Sequence, residues 1–191
     1  IRDVYEGNDT LLSTAEAQQI RQQYMQERRA QMQQERQAQA ETNLEEGEAF
    51  LAENANKEGV QVTDSDLQYK VIESGDGASP SAEDTVTVHY RGKLLNGTEF
   101  DSSYSRGQPA SFALDQVIPG WTEGVQLMNV GSKYRFFVPP DLAYGEQGSR
   151  GIPPNATLIF DVELLDVKSA AGESGEETGA DNAPAEGDDQ G

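Results

Sequence analysis

The sequence predicts an α+β fold, a curved antiparallel β-sheet wrapped on one short helix, preceded by one long exposed α-helix. Three observations predict it. Residues 14–58 contain no proline and a single glycine, Gly47, and are dominated by Gln, Glu, Ala and Arg, all good helix formers. Beyond residue 66, apolar residues recur at every second position, the period of a strand with one buried face. Between two such strands, one stretch after Pro119-Gly120 places Trp121, Val125 and Met128 at helical spacing. With 191 residues, 35% of them apolar, the chain has enough material for one compact core and length to spare.

The elements follow in order. Ile1, Val4 and Tyr5 share a helical face before Gly7-Asn8-Asp9 stops it, so residues 1–12 are expected to be the end of an N-terminal module. An opening at Ile1 without a basic-then-apolar stretch is expected of a mature protein or a fragment, and leaves export open. Ser13 with Glu16 three residues later forms a capping-box pattern. The helix is expected over 13–58, roughly 65 Å long, with Lys57 in its last turn and Gly59 to end it. Its apolar residues (Ile20, Tyr24, Met25, Met32, Leu44, Phe50 and Leu51) are sparse and form no heptad seam. A helix polar nearly all round reads as a solvated spacer; a disordered Gln-rich segment is the alternative that composition allows. Residues 59–66 are expected as a linker. Strands are expected at 67–73, at 85–90 with Val86, Val88 and Tyr90 on one face, at 133–138, and at 157–167 with Leu158, Phe160, Val162 and Leu164 on one side. Asn96-Gly97 signals a hairpin turn. The folded α+β unit is thus expected over 67–170. Residues 171–191 are mostly Gly, Ala, Asp and Glu with one Pro and no basic residue, the composition of a disordered acidic tail.

Composition narrows the function. A net charge of −20 repels phosphate backbones and anionic lipid, so nucleic acid is not an expected partner. No run of 18 or more apolar residues exists, so no membrane-spanning helix is expected. There is no cysteine, and His89 is the one histidine. Thiol chemistry, a Ser-His pair and a multi-histidine metal site are therefore disfavoured, and neither cofactor nor metal is expected. Glu99 and Asp101 would share a face of a regular strand, and such a pair can do acid-base work, although solvated carboxylates are far commoner. His89 alternates away from the core face. Gly75-Asp76-Gly77 lacks the strand-loop-helix context of a nucleotide loop.

What remains is aromatic and apolar: Tyr90, Phe100, Phe112, Val117, Ile118, Trp121, Tyr144, Ile152 and Phe160, drawn from strands, the helix and two Gly/Pro-rich loops. Ordinary core packing is the better bet for any one of them. Trp121 is expected to be partly accessible in a cleft, because Trp is large and is seldom fully covered.

Several runs resemble the signature of the FKBP-type peptidyl-prolyl cis-trans isomerases, in order and at the family's spacing. They are Val88-His89-Tyr90-Arg91-Gly92, Phe100-Asp101-Ser102-Ser103, Val117-Ile118-Pro119-Gly120-Trp121, Ala143-Tyr144-Gly145 and the stretch 151–160. The resemblance is nearest to the bacterial Mip/FkpA subfamily, which has a helical dimerisation module, a long connecting helix and a C-terminal FKBP domain. It implies catalytic roles for Tyr90, Phe100, Asp101, Trp121, Tyr144 and Phe160. It implies binding roles for Phe112, Val117, Ile118 and Ile152. The proline ring would sit over Trp121, and the Ile118 N–H and Tyr144 hydroxyl would donate to ligand carbonyls. The implied activity is rotation of X-Pro bonds in unfolded or folding polypeptides, with chaperone activity, a homodimer where the N-terminus is intact, macrolide binding and a periplasmic location, with the cytoplasm as alternative. Ala110 at an aromatic wall position, and the loop 146–150 without aromatic or His, depart from the family pattern and open the pocket, so macrolide affinity stays open. A non-catalytic chaperone or peptide-binding module using the same pocket is the alternative function.

Overall fold

The structure is a computed structural model that describes residues 14–169. The expected N-terminal remnant at 1–12, the cap at Ser13 and the acidic tail at 171–191 lie outside the described residues. Helix α1 spans Thr14–Asn54, 41 residues and about 60 Å. Strand β1 (Val60–Val62) and β2 (Gln68–Glu73) follow, then β3 (Thr85–Leu94), β4 (Glu99–Ser102), a single helical turn α2 (Ser103–Arg106) and β5 (Ala110–Ala113). Helix α3 (Pro119–Gln126) precedes β6 (Lys133–Val138) and β7 (Leu158–Lys168). The strands form one antiparallel sheet in the order β1-β2-β6-β7-β3-β4, with β5 also pairing with β3.

The period-two pattern does what it predicts. Val86, Val88 and Tyr90 of β3, Phe136 and Val138 of β6, and Leu158, Phe160, Val162 and Leu164 of β7 are all buried on one face of the sheet. Trp121, Val125 and Met128 meet them from the α3 side. Pro119 stands at the first position of α3, where its missing N–H costs nothing. Two glycines let this helix lie close on β6. A Cβ at Gly120 would come within 2.5 Å of Val138 Cγ1, and one at Gly124 within 2.7 Å of Phe136 Cε1.

Helix α1 departs from the spacer expectation in two ways. It stops at Asn54 rather than running on to residue 58, because β2 takes over its end. Buried Asn54 Nδ2 donates to Gln68 Oε1 at 2.9 Å, and Gln68 Nε2 donates to the Leu51 carbonyl at 2.8 Å. The Leu51 carbonyl thus accepts a second hydrogen bond beside that of the Ala55 N–H, at 3.0 Å, which ties the end of the helix to β2. The turn then reverses at Gly59, with φ of 80°, and part of the expected linker becomes β1 on the edge of β2.

The second departure is a contact stripe. Arg36, Ala40, Asn43, Gly47, Phe50 and Asn54 recur at alternating three- and four-residue spacing, one face of a helix, and each meets the folded domain. Arg36 Nη2 donates to the Gln147 carbonyl, Asn43 Nδ2 to the Pro154 carbonyl at 2.7 Å, and Asn155 Nδ2 to the Ala40 carbonyl at 3.3 Å. Gly47 packs on Thr157, and the Phe50 ring centroid lies 5.8 Å from that of Phe137. Apart from Phe50 the stripe is polar and small, which is why a search for a hydrophobic seam passes over it.

Candidate binding and catalytic pocket

The pocket is built upward from Trp121. Only 4% of this residue is exposed, less than the sequence reading expected, because three rings stand on edge around the indole. Tyr90, Phe112 and Phe160 approach it at centroid distances of 5.2, 5.5 and 5.4 Å, with interplanar angles of 88°, 83° and 83°. Such edge-to-face packing suits the ring quadrupoles. Phe100 extends the wall, standing at 87° to Phe160 with 5.5 Å between centroids. Gly92 on β3 makes room for that pair, since a Cβ there would lie 2.5 Å from Phe100 Cζ and 2.8 Å from Phe160 Cε1. The resulting cleft holds about 460 Å³ and is bounded by Tyr90, Phe100, Asp101, Phe112, Gln116, Val117, Ile118, Trp121, Tyr144 and Phe160.

Nine of the ten singled-out residues therefore meet at one cleft. The tenth, Ile152, does not border it. It is buried in the core, bridged to Ser149 in the loop after Tyr144. Ala110 likewise packs against the core and is not among the cleft residues. Gln116 was missed. It sits at the end of a short 3-10 turn just before Val117, and its polarity gave no reason to include it in an apolar wall.

The rim carries the charge. Phe100 is the extra residue of a β-bulge, because Asp101 pairs with Gly92 while Glu99 pairs with Lys93. This corrects the expectation that Glu99 and Asp101 share a face. Glu99 pairs with Arg91 at 3.2 Å, whereas Asp101 turns to Tyr90, the neighbour on the opposite face. The Tyr90 hydroxyl donates to Asp101 Oδ2, and Arg106 donates both to Asp101 and, at 2.7 Å, to the Tyr90 oxygen. Helix α2 brings Arg106 back over the Tyr90 ring, being capped by Ser102 and ended by Gly107 with φ of 71°. Burial disfavours the Asp101 carboxylate, but hydrogen bonds from Tyr90 and Arg106 and the Arg106 charge outweigh it and hold its pKa below the usual value. Asp101 is thus an ionised, anchored group at neutral pH rather than a proton carrier.

Two donors on cleft-lining residues have no protein acceptor among the described residues, the Ile118 N–H at the start of α3 and the Tyr144 hydroxyl. Burial first, and then the Asp101 charge, raise the Tyr144 pKa, so the phenol keeps its proton. The lone histidine lies elsewhere, with its ring stacked on Tyr104 at 4.7 Å and Nδ1 2.9 Å from Ser103 Oγ. Among the described residues, no group of three His, Asp or Glu side chains is arranged to hold a metal ion.

Comparison with known proteins gives a consistent picture. Residues 77–165 match the profile described as FKBP-type peptidyl-prolyl cis-trans isomerase, and residues 1–71 match that of the domain amino-terminal to it. The chain is 52% identical over 165 residues to the FKBP-type peptidyl-prolyl cis-trans isomerase FkpA of Aeromonas hydrophila, covering 86% of this chain and 62% of that protein. It is 52% identical over 169 residues to the peptidyl-prolyl cis-trans isomerase Mip of Coxiella burnetii, covering 88% and 74%. The chain thus spans about three fifths of the Aeromonas protein's length. The crystal structure of FkpA from Escherichia coli superposes with a TM-score of 0.80 at 44% identity, over 88% of this chain and 79% of that one.

Proposed function

This chain belongs to the FKBP-type peptidyl-prolyl cis-trans isomerase family, and from that membership we propose that it accelerates rotation about X-Pro bonds in unfolded and folding polypeptides. The observation that carries the reading is the aromatic well over Trp121, with the Ile118 N–H and Tyr144 hydroxyl left free at its edge.

The chemistry asks for no proton transfer and no covalent step. Resonance makes the peptide C–N bond stiff, with a barrier near 20 kcal/mol. The planar amide is more polar than the twisted transition state, so water stabilises the planar form more. An apolar cleft removes that advantage and lowers the barrier. The proline ring would lie on the Trp121 indole between Tyr90, Phe112 and Phe160. The Ile118 N–H and Tyr144 hydroxyl would hold the flanking carbonyls, so that one side of the bond is fixed while the other turns. Phe100, Val117 and Ile152, the last from beneath the loop, shape or support the wall. Asp101, fixed by Tyr90 and Arg106, would keep the rim rigid. Each 1.36 kcal/mol gained this way is a tenfold rate increase.

The proposal extends to a chaperone role on non-native clients and to a homodimer through the N-terminal module, supported by the match of residues 1–71. It also extends to a periplasmic location, supported by the FkpA likeness, and to macrolide binding at the same cleft. The test is an isomerisation assay on a short Leu-Pro peptide with the Trp121→Ala variant beside it. Turnover that falls at least tenfold in the variant is expected. Saturable quenching of Trp121 emission without any acceleration would sink the enzymatic reading in favour of a non-catalytic peptide grip.

A further inference from the structure

We propose that the docked part of α1, from Arg36 to Asn54, is a positioning element for the isomerase pocket, acting through the loop that carries Tyr144. Its activity arm rests on the isomerase reading above.

The contacts converge on one short segment. Gln147, Pro154 and Asn155 exchange hydrogen bonds with Arg36, Asn43 and Ala40, and Thr157 packs on Gly47. The same segment holds Tyr144 by its backbone. The Gly148 N–H donates to the Tyr144 carbonyl at 3.1 Å and the Asn155 N–H to the Gly145 carbonyl at 2.9 Å. Asn155 is the joint between the two sets, since its backbone binds the Tyr144 side of the loop while its side chain binds the helix. It does so at φ of 51°, a left-handed conformation that Asn tolerates better than most residues.

The loop needs such an external hold. Gly145, Gly148 and Gly151 all have positive φ, and glycine constrains a backbone least. Tyr144 itself is 39% exposed, so packing alone does not fix it. A hydroxyl that must meet a carbonyl in a twisted transition state tolerates little displacement. Gly47 points the same way. It is the sole glycine of the helix, unfavourable at such a position, and a Cβ there would stand 2.3 Å from Thr157 Oγ1. Close approach to the loop is the physical reason for glycine at that site.

The test uses the full chain and two variants, Gly47→Gln, which forces the helix off Thr157 with a good helix former, and Asn43→Ala, which leaves the Pro154 carbonyl unpaired. Amide exchange at Gly148 and Asn155 should accelerate about tenfold, and kcat/KM on a short X-Pro peptide should fall about three- to tenfold. In a Tyr144→Phe background, Gly47→Gln should add little further loss. Unchanged exchange or unchanged turnover in folded variants overturns the proposal, as does an equal loss in the Tyr144→Phe background. If the wild type fails to turn over the peptide, the isomerase reading falls and the exchange measurement alone decides whether the helix holds the loop. Should Gly47→Gln not fold, Asn43→Ala decides, because it deletes a single amide from a half-exposed site.

Discussion

From Ala15 to Glu35 every residue of α1 is exposed, whereas from Ala40 to Asn54 the same helix turns one face to the folded domain. The first stretch is rich in Gln and Arg, the second in Glu and Ala with no Gln. The first half carries Ile20, Tyr24, Met25 and Met32 and leaves each at least half exposed. The second half docks through Asn43, Gly47, Phe50 and Asn54. Beside the one ring contact of Phe50, docking therefore rests on complementarity with loop carbonyls and on close approach rather than on a continuous apolar helix face. A buried amide that finds a fixed carbonyl contributes about 1 kcal/mol, and one left without a partner costs more.

The largest break in this contrast is expected at Phe137, whose buried ring receives Phe50. Phe137→Ala should cost about 3–5 kcal/mol in a urea melt and should release the end of α1. A loss below 1 kcal/mol would mean that the helix is not seated there. Next comes Asn54→Ala, which strands the Gln68 amide in a buried site. About 1–3 kcal/mol is expected, and an unchanged midpoint would show that water replaces the amide freely.

Acid sharpens the contrast differently. The dock consists mainly of amides, a glycine and a ring, whereas the pocket rim rests on the ionised Asp101. Because its pKa is lowered on folding, Asp101 contributes fully above the ordinary carboxylate range, and that contribution is lost as pH falls through the lowered value. Peptide turnover should hold through mildly acidic pH and drop only beneath the ordinary carboxylate range, and Asp101→Asn should remove that step. A turnover loss centred above the ordinary range would contradict the anchored carboxylate. The smallest effect belongs to the undocked half. Met32→Ala should shift stability by less than about 0.5 kcal/mol, since nothing packs on an exposed side chain there; a larger shift would reveal a contact on that face.

Much of the pocket was legible in the chain. Alternation placed Val86, Val88 and Tyr90 inward, and the family motifs collected nine residues that line one cleft. Three features were not legible. The bulge at Phe100 breaks the alternation that paired Glu99 with Asp101, and a bulge is a property of the strand pair rather than of one strand. Ile152 belongs to the core under the loop, a distinction between lining and supporting that depends on which way the loop turns. Gln116 is polar, and composition alone gave no reason to place it in an apolar wall.

Local periodicity, the helix-forming run, the proline at the start of α3 and the set of aromatic residues were determined by the sequence itself, because each depends on neighbours within a few positions of the chain. The end of α1 at Asn54, the stripe through Asn43 and Gly47, the bridge from Arg106 to Tyr90 and Asp101, and the hold on Tyr144 were decided only by the tertiary structure. Each joins groups from separate elements, and a hydrogen bond to a distant carbonyl leaves no periodic trace in hydropathy, so it can be read only once the two partners have been brought together.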